Sequence, residues 1–248
     1  MPNHITNIFD VTGTPAKVKA FKDKVYRVEK AKEKSYSHEV GDPLYIFDFN
    51  ATVPMPKELE GTESPSGTSR SPSRVPNSEL IRKYGTDNWY DWCVDIGWGT
   101  KWGAYDAEAV HTIKSGLRFT FNTAWSPPVQ WIITTSAMFP TLTFTNLWKD
   151  EGGGCGKLVI KKGCVMSDKR LSDHEWYMKF EPTYREEYEF ITKGDYDKVI
   201  AKYSKEEEPN YNDLNEYLLK RLMQKDLPLF MHFSWYGLQN AFNEKLKA

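Results

Sequence analysis

Apolar and polar positions repeat along this chain with two different periods. Residues 5–12 are rich in Ile, Phe, Val and Thr and run into Gly13, which predicts a strand closed by a turn. Thr14-Pro15 then offers a cap and a first-turn proline. Val18, Phe21, Val25 and Val28 follow at helical spacing with lysines on the other side, so the next element is a helix with one buried stripe. Residues 44–49 place Tyr45, Phe47 and Phe49 on one face and Leu44 and Ile46 on the other. A strand partly covered on both sides has that pattern, and Pro54-Met55-Pro56 ends it.

Helical spacing returns from Ser78 through Leu80, Ile81 and Tyr84, and again around Trp89, Trp92 and Cys93, until Gly97 and Gly99 interrupt it. Leu117, Phe119 and Phe121 alternate with Arg118, Thr120 and Asn122 as a strand. Pro127-Pro128 opens a helix carrying Val129, Ile132, Ile133 and Ala137. Leu142, Phe144 and Asn146 alternate with Thr143, Thr145 and Leu147 as another strand, and Gly152-Gly153-Gly154 leads to a last one over residues 157–165. Between the two halves, residues 57–77 turn to Ser, Pro, Gly, Thr and Arg, the composition of a mobile surface loop.

The order β-α-β followed by β-α-β predicts an α+β fold, a ferredoxin-like sandwich with a mostly antiparallel sheet and helices on one face. This domain takes residues 1–165. Residues 166–248 read as a mainly helical C-terminal extension: acidic from Glu181 to Glu216, then Leu214, Tyr217, Leu218 and Leu222 at helical spacing, then a second aromatic helix with Phe230, Phe233, Trp235 and Tyr236.

Five phrases have more specific wording: Pro2-Asn3-His4; Pro54-Met55-Pro56; Trp98-Gly99-Thr100-Lys101-Trp102 with Tyr105-Asp106 after it; Thr123-Ala124-Trp125-Ser126-Pro127-Pro128; and Phe139-Pro140. In order and content they resemble the YubB-like family with its ferredoxin-like domain, over roughly residues 1–165. The resemblance implies the same fold and an origin on phages, prophages or plasmids, and implies no biochemical activity. It makes residues 57–77 an insertion and extends nothing to the C-terminal part.

Composition narrows the classes. The 248 residues are 40% apolar and 15% aromatic, enough for a sizeable core, and 27% charged, which describes a hydrated exterior. No apolar run approaches the roughly 18–20 residues of a membrane span, and the first residues lack the pattern of a secretory signal, so a cytoplasmic protein is expected. A net charge of −1 provides no overall attraction to nucleic acid or an anionic membrane. Cys93, Cys155 and Cys164 contain no CxxC pair, and His4, His38, His111, His174 and His232 are scattered; neither disulfides nor a metal or other cofactor is expected.

Seven of the nine tryptophans lie between Asn88 and Trp148, and the two tryptophan phrases are the candidate site. In the first, packing explains Trp98 and Trp102 at a glycine-permitted corner, with Lys101 solvated or paired to Asp106. The alternative is a recognition surface in which the indoles stack on a ligand and Lys101 meets an anion. In the second, Ser126 before a diproline is a helix cap, or the same helix end is an anion site walled by Trp125. No nucleophile and base are paired, Gly-x-Ser-x-Gly is missing, and Gly152-Gly153-Gly154-Cys155-Gly156 lacks the ending of a phosphate loop.

A binding role is therefore expected rather than turnover, using Trp98, Thr100, Lys101, Trp102, Asp106, Thr123, Trp125 and Ser126. The expected partner is a host or phage protein such as a defence component. Single-stranded nucleic acid, held by the same tryptophans with Lys101 and Arg118, is the alternative, and a small hydrolase or nucleotide-processing enzyme around Lys101, Asp106 and Ser126 comes last. The sequence leaves the oligomeric state open.

Overall fold

A computed structural model describes residues 3–34, 39–63 and 76–180, without the side chains of residues 173, 174, 177 and 178. Contacts group the chain into two units, Met1–Arg170 and Leu171–Ala248. Residues 64–75 of the expected loop and both helices expected after residue 210 lie outside the described residues.

The first unit is built on a six-stranded sheet: β1 (His4–Thr12), β4 (His111–Ile113), β5 (Gly116–Ala124), β6 (Thr143–Asp150), β7 (Cys155–Lys161) and β8 (Cys164–Leu171), in the order β4-β5-β1-β6-β7-β8. β1 lies antiparallel between β5 and β6, with Phe9 opposite Phe119 on one side and Asn146 on the other. Helix α1 (Pro15–Val25) follows β1, and α4 (Val129–Met138) joins β5 to β6 across the strand between them. The connection through α4, crossing over one intervening strand, is of the kind that defines the ferredoxin-like domain, whereas α1 leads into β2 (Tyr26–Lys30).

The periods in the sequence place β1, α1, β5, α4 and β6 where they are observed, except that Val28, expected on the buried stripe of α1, lies beyond the helix in an exposed strand position. One strand differs. Residues 44–49 were expected as the second strand of the sandwich; instead β3 (Pro43–Phe47) pairs with β2 (Tyr26–Lys30) in a separate two-stranded sheet. The sandwich position is filled by short β4 on the outer side of β5. The exchange is possible because β3 carries aromatics that the core uses: the Phe47 ring lies 4.6 Å from that of Phe121. The last expected strand is a hairpin, β7 and β8, turned at Lys162-Gly163, and β8 runs beyond the expected boundary at residue 165.

Every second residue of β1 faces the helices: Ile5, Asn7, Phe9 and Val11 are buried. Phe9 touches the rings of Phe21, Phe47, Phe119, Phe121, Trp131 and Phe144, and is fully enclosed. Each such aromatic contributes about 1.5–3 kcal/mol by leaving water. The start of the expected loop is fixed rather than free. Leu59, in a single helical turn at Lys57–Leu59, is fully buried, and the Thr62 hydroxyl accepts from the Trp89 amide at 2.9 Å.

The remaining helices lie between β3 and β4. α2 (Ser78–Tyr84) is capped by Asn77, whose side chain accepts from the amides of Glu79 and Leu80. α3 (Trp89–Asp91) widens at once into a π-helical turn, Trp92–Gly97, closed by the Trp98 amide donating to the Cys93 carbonyl at 3.0 Å. In the second unit, α5 (Asp173–Phe180) brings the rings of Trp176 and Phe180 to 4.7 Å.

Candidate functional site

The π-helical turn delivers the first tryptophan phrase against the second, and backbone groups lace the two together. The Ser126 hydroxyl donates to the Gly99 carbonyl at 2.6 Å, the Thr100 hydroxyl to the Ala124 carbonyl at 2.8 Å, and the Trp131 amide to the Trp98 carbonyl at 3.2 Å. Gly99 has φ +78, and a Cβ there would stand 3.1 Å from the Gln130 amide nitrogen, so the junction admits no side chain easily.

Three residues expected to bind are thereby core. Trp98 is 4% exposed, donates from Nε1 to the Val53 carbonyl at 2.9 Å, and packs on Phe49 and Trp92. A buried indole keeps one polar atom that must be satisfied, and a backbone carbonyl does so here. Thr100 is wholly buried. Thr123 is also wholly buried; its hydroxyl donates to the Ser126 carbonyl at 2.8 Å and accepts from Nδ2 of Asn7 at 3.0 Å.

Ser126 is not the helix cap. The cap position is Pro128, with no side-chain acceptor, and the Ser126 hydroxyl is spent on Gly99. The Trp131 amide, in the first turn of α4, already has the Trp98 carbonyl as partner. The Val129 amide likewise donates to the Pro127 carbonyl, so two of the amides at this helix end already have backbone partners. Arg118, expected as a nucleic-acid contact, is held by Asp10 through two bonds, Nε to Oδ1 at 2.7 Å and Nη2 to Oδ2 at 2.8 Å.

What reaches the surface is a cation between two indoles. Nζ of Lys101 lies 4.6 Å from the ring centre of Trp102 and 4.5 Å from that of Trp125, both within the range of cation–π attraction. Lys101 and Trp102 are half-buried, whereas Trp125 is 46% exposed. Among the described residues Lys101 makes no ion pair with Asp106. Asp106 is exposed at φ +48, with its carboxylate 3.4 Å from Nδ2 of Asn122.

Trp125 also sits at φ +71, the left-handed region, which costs a bulky residue about 1–2 kcal/mol. Its amide donates to the Asn3 carbonyl at 2.9 Å, and the neighbouring Ala124 carbonyl accepts from Thr100. These bonds hold the strained turn in place.

Three residues that were not among the expected binding residues complete the face. The Tyr90 ring meets Trp125 edge-on at 5.9 Å, and Tyr105 meets Trp102 at 6.4 Å. The Tyr105 hydroxyl donates to the Thr123 carbonyl at 3.2 Å and pairs with Nδ1 of His4 at 2.7 Å. Burial pushes the Tyr105 phenol up to about 12, with the Asp106 and Glu151 charges adding to it. Burial also raises Tyr90, helped by Asp91 and Asp95. His4 and Tyr105 stood in the phrases that carried the family resemblance; Tyr90 had no distinguishing signal. Among the described residues no three His, Cys, Asp or Glu side chains gather as a metal site.

Fold and site together define a ferredoxin-like domain carrying a surface aromatic cluster. Residues 97–184, which include both tryptophan phrases, match the family model described as a ferredoxin-like domain in Api92-like protein. Among solved structures, the chain is similar to the crystal structure of a protein api92 from Yersinia pseudotuberculosis. The two are 11% identical, with a TM-score of 0.42 over 69% of this chain and 99% of that one. No curated protein matches. Among the described residues no helix is long and apolar enough to cross a membrane.

Proposed function

We propose that this chain is a binding module of a phage or plasmid, working in the cytoplasm of a bacterial host. It engages a host or phage protein, such as a defence component, through Trp102, Lys101 and Trp125. The supporting observation is Trp125: a large indole, nearly half exposed, kept at a strained φ of +71 by bonds from two other segments. Strain of this kind is retained where the surroundings over-determine it, commonly at binding surfaces, and tryptophan is the residue most enriched among interface anchors.

The charges favour a protein over single-stranded nucleic acid. Asp91, Asp95, Asp106 and Glu151 act on the tyrosines at either end of the indole pair, where a phosphate backbone would be repelled. Arg118, the second cation a nucleic-acid reading would use, is neutralised by Asp10.

Wild-type protein and Trp125→Leu serve as paired baits for host and phage proteins, and the protein retained only by the wild type is purified and titrated. An anchor contributing about 2 kcal/mol weakens binding roughly thirtyfold in the variant. Equal affinity for both baits refutes the proposal. So does strong, salt-sensitive quenching of tryptophan fluorescence by a single-stranded oligonucleotide, which establishes the nucleic-acid reading in its place.

A further inference from the structure

We infer that Trp102 and Trp125 form a receptor for an alkylammonium group, the end of a lysine side chain on the partner protein, and that Lys101 occupies it in the free protein. This rests on the binding role proposed above and adds the chemistry of what is bound.

Lys101 is itself the first observation. Its ammonium stands at 4.6 and 4.5 Å from two ring centres contributed by segments more than twenty residues apart, so the site is already shaped around a cation of this size. An indole face attracts a cation through its quadrupole, and two faces on one ammonium replace part of its hydration shell.

The second observation is the surrounding charge. Asp106 follows Tyr105, whose ring lies on Trp102, and Glu151 accepts from the His4 amide at 2.9 Å, with the His4 ring on Tyr105. On the other side Asp91 follows Tyr90, whose ring lies on Trp125. Carboxylates at both ends draw in a basic partner and oppose an acidic one.

The third is that the backbone carrying Trp125 is fixed from other segments, while the occupant hangs on a flexible stem. The backbone at Trp125 is fixed by its amide bond to Asn3 and by the lacing of Thr100 and Ser126. Lys101 has a flexible four-carbon stem and can withdraw its ammonium into water when a partner's lysine takes the place.

The test uses the full chain with tetramethylammonium chloride as probe, against sodium chloride at equal ionic strength, followed through the indole Nε1 proton resonances of Trp102 and Trp125. Lys101→Met keeps much of the stem and removes the ammonium. It is expected to bind the probe saturably and about tenfold more tightly than wild type, the occupant's cation–π attraction having been removed. Adding Trp125→Leu to that variant abolishes the binding. Shifts that stay linear and equal in wild type and Lys101→Met, or that persist without Trp125, overturn the inference.

The wild-type protein provides a readout that needs no variant. Ring currents of two flanking indoles move the Lys101 ε-methylene protons upfield, and random-coil shifts there overturn the inference even if Lys101→Met does not fold. A protein that captures its partner through Trp125 while its Lys101→Met form ignores the probe keeps the binding role and loses this receptor. Saturable probe binding without any protein partner does the reverse.

Discussion

The strain at Trp125 predicts that glycine is a better replacement there than alanine. Both substitutions remove the cation contact with Lys101, worth about 0.5–1 kcal/mol at an exposed site, and the ring contact with Tyr90, worth about 0.5–1.5 kcal/mol. Trp125→Ala keeps a Cβ at φ +71 and should lose about 1–2.5 kcal/mol in all. Trp125→Gly removes the left-handed penalty of about 1–2 kcal/mol, against about 0.5–1 kcal/mol for glycine's greater freedom in the unfolded chain. At mid-range values glycine should therefore exceed alanine by about 0.75 kcal/mol, which is about 1.5–3 °C in Tm for a chain of this length. Urea and thermal unfolding followed by far-ultraviolet circular dichroism measure the difference. Ala20, exposed within α1, is the control, since Ala20→Gly should cost about 1 kcal/mol. If alanine at position 125 equals or exceeds glycine, the strain assigned to this turn is absent, and the argument that a strained indole marks the binding face goes with it.

The pH dependence at the alkaline end carries a definite sign. The folded Tyr105 phenol titrates at about 12, above its ordinary value of 10.0, so its contribution is complete below pH 10 and disappears as pH rises towards 12. Tyr105→Phe should lose less stability than wild type over that window, as read from urea midpoints, and equal losses would refute the assignment. The thiols should separate in alkylation monitored by mass spectrometry. Exposed Cys164 reacts first; Cys155 is buried, and Cys93 is buried with its thiol pushed up to about 12. Gly116→Ala should destabilise severely, by roughly 3 kcal/mol or more on the scale of forced overpacking, because the added Cβ would stand 1.9 Å from the Val11 carbonyl oxygen. A melting temperature within a few degrees of wild type would contradict that packing.

Periodicity alone determined β1, α1, β5, α4 and β6, because alternation and helical spacing are local consequences of one face being apolar. It also marked the two tryptophan phrases as unusual, since their mixture of indoles, glycine and proline is visible without coordinates. It could not assign roles within them. Trp98 and Trp102 are four residues apart in the same phrase, yet one satisfies its Nε1 on the Val53 carbonyl inside the core while the other lies beside Lys101 at the surface. Ser126 before a diproline has the wording of a cap, and only the approach of Gly99 from another segment diverts its hydroxyl. Residues 44–49 read as a strand, which the structure bears out up to Phe47, with Phe49 in a helical turn beyond it; which strand they pair with depends on long-range packing of Phe47 against Phe121. Local pattern sets which residues avoid water; the meeting of distant segments decides which polar atoms remain available, and the ammonium between Trp102 and Trp125 exists only through that meeting.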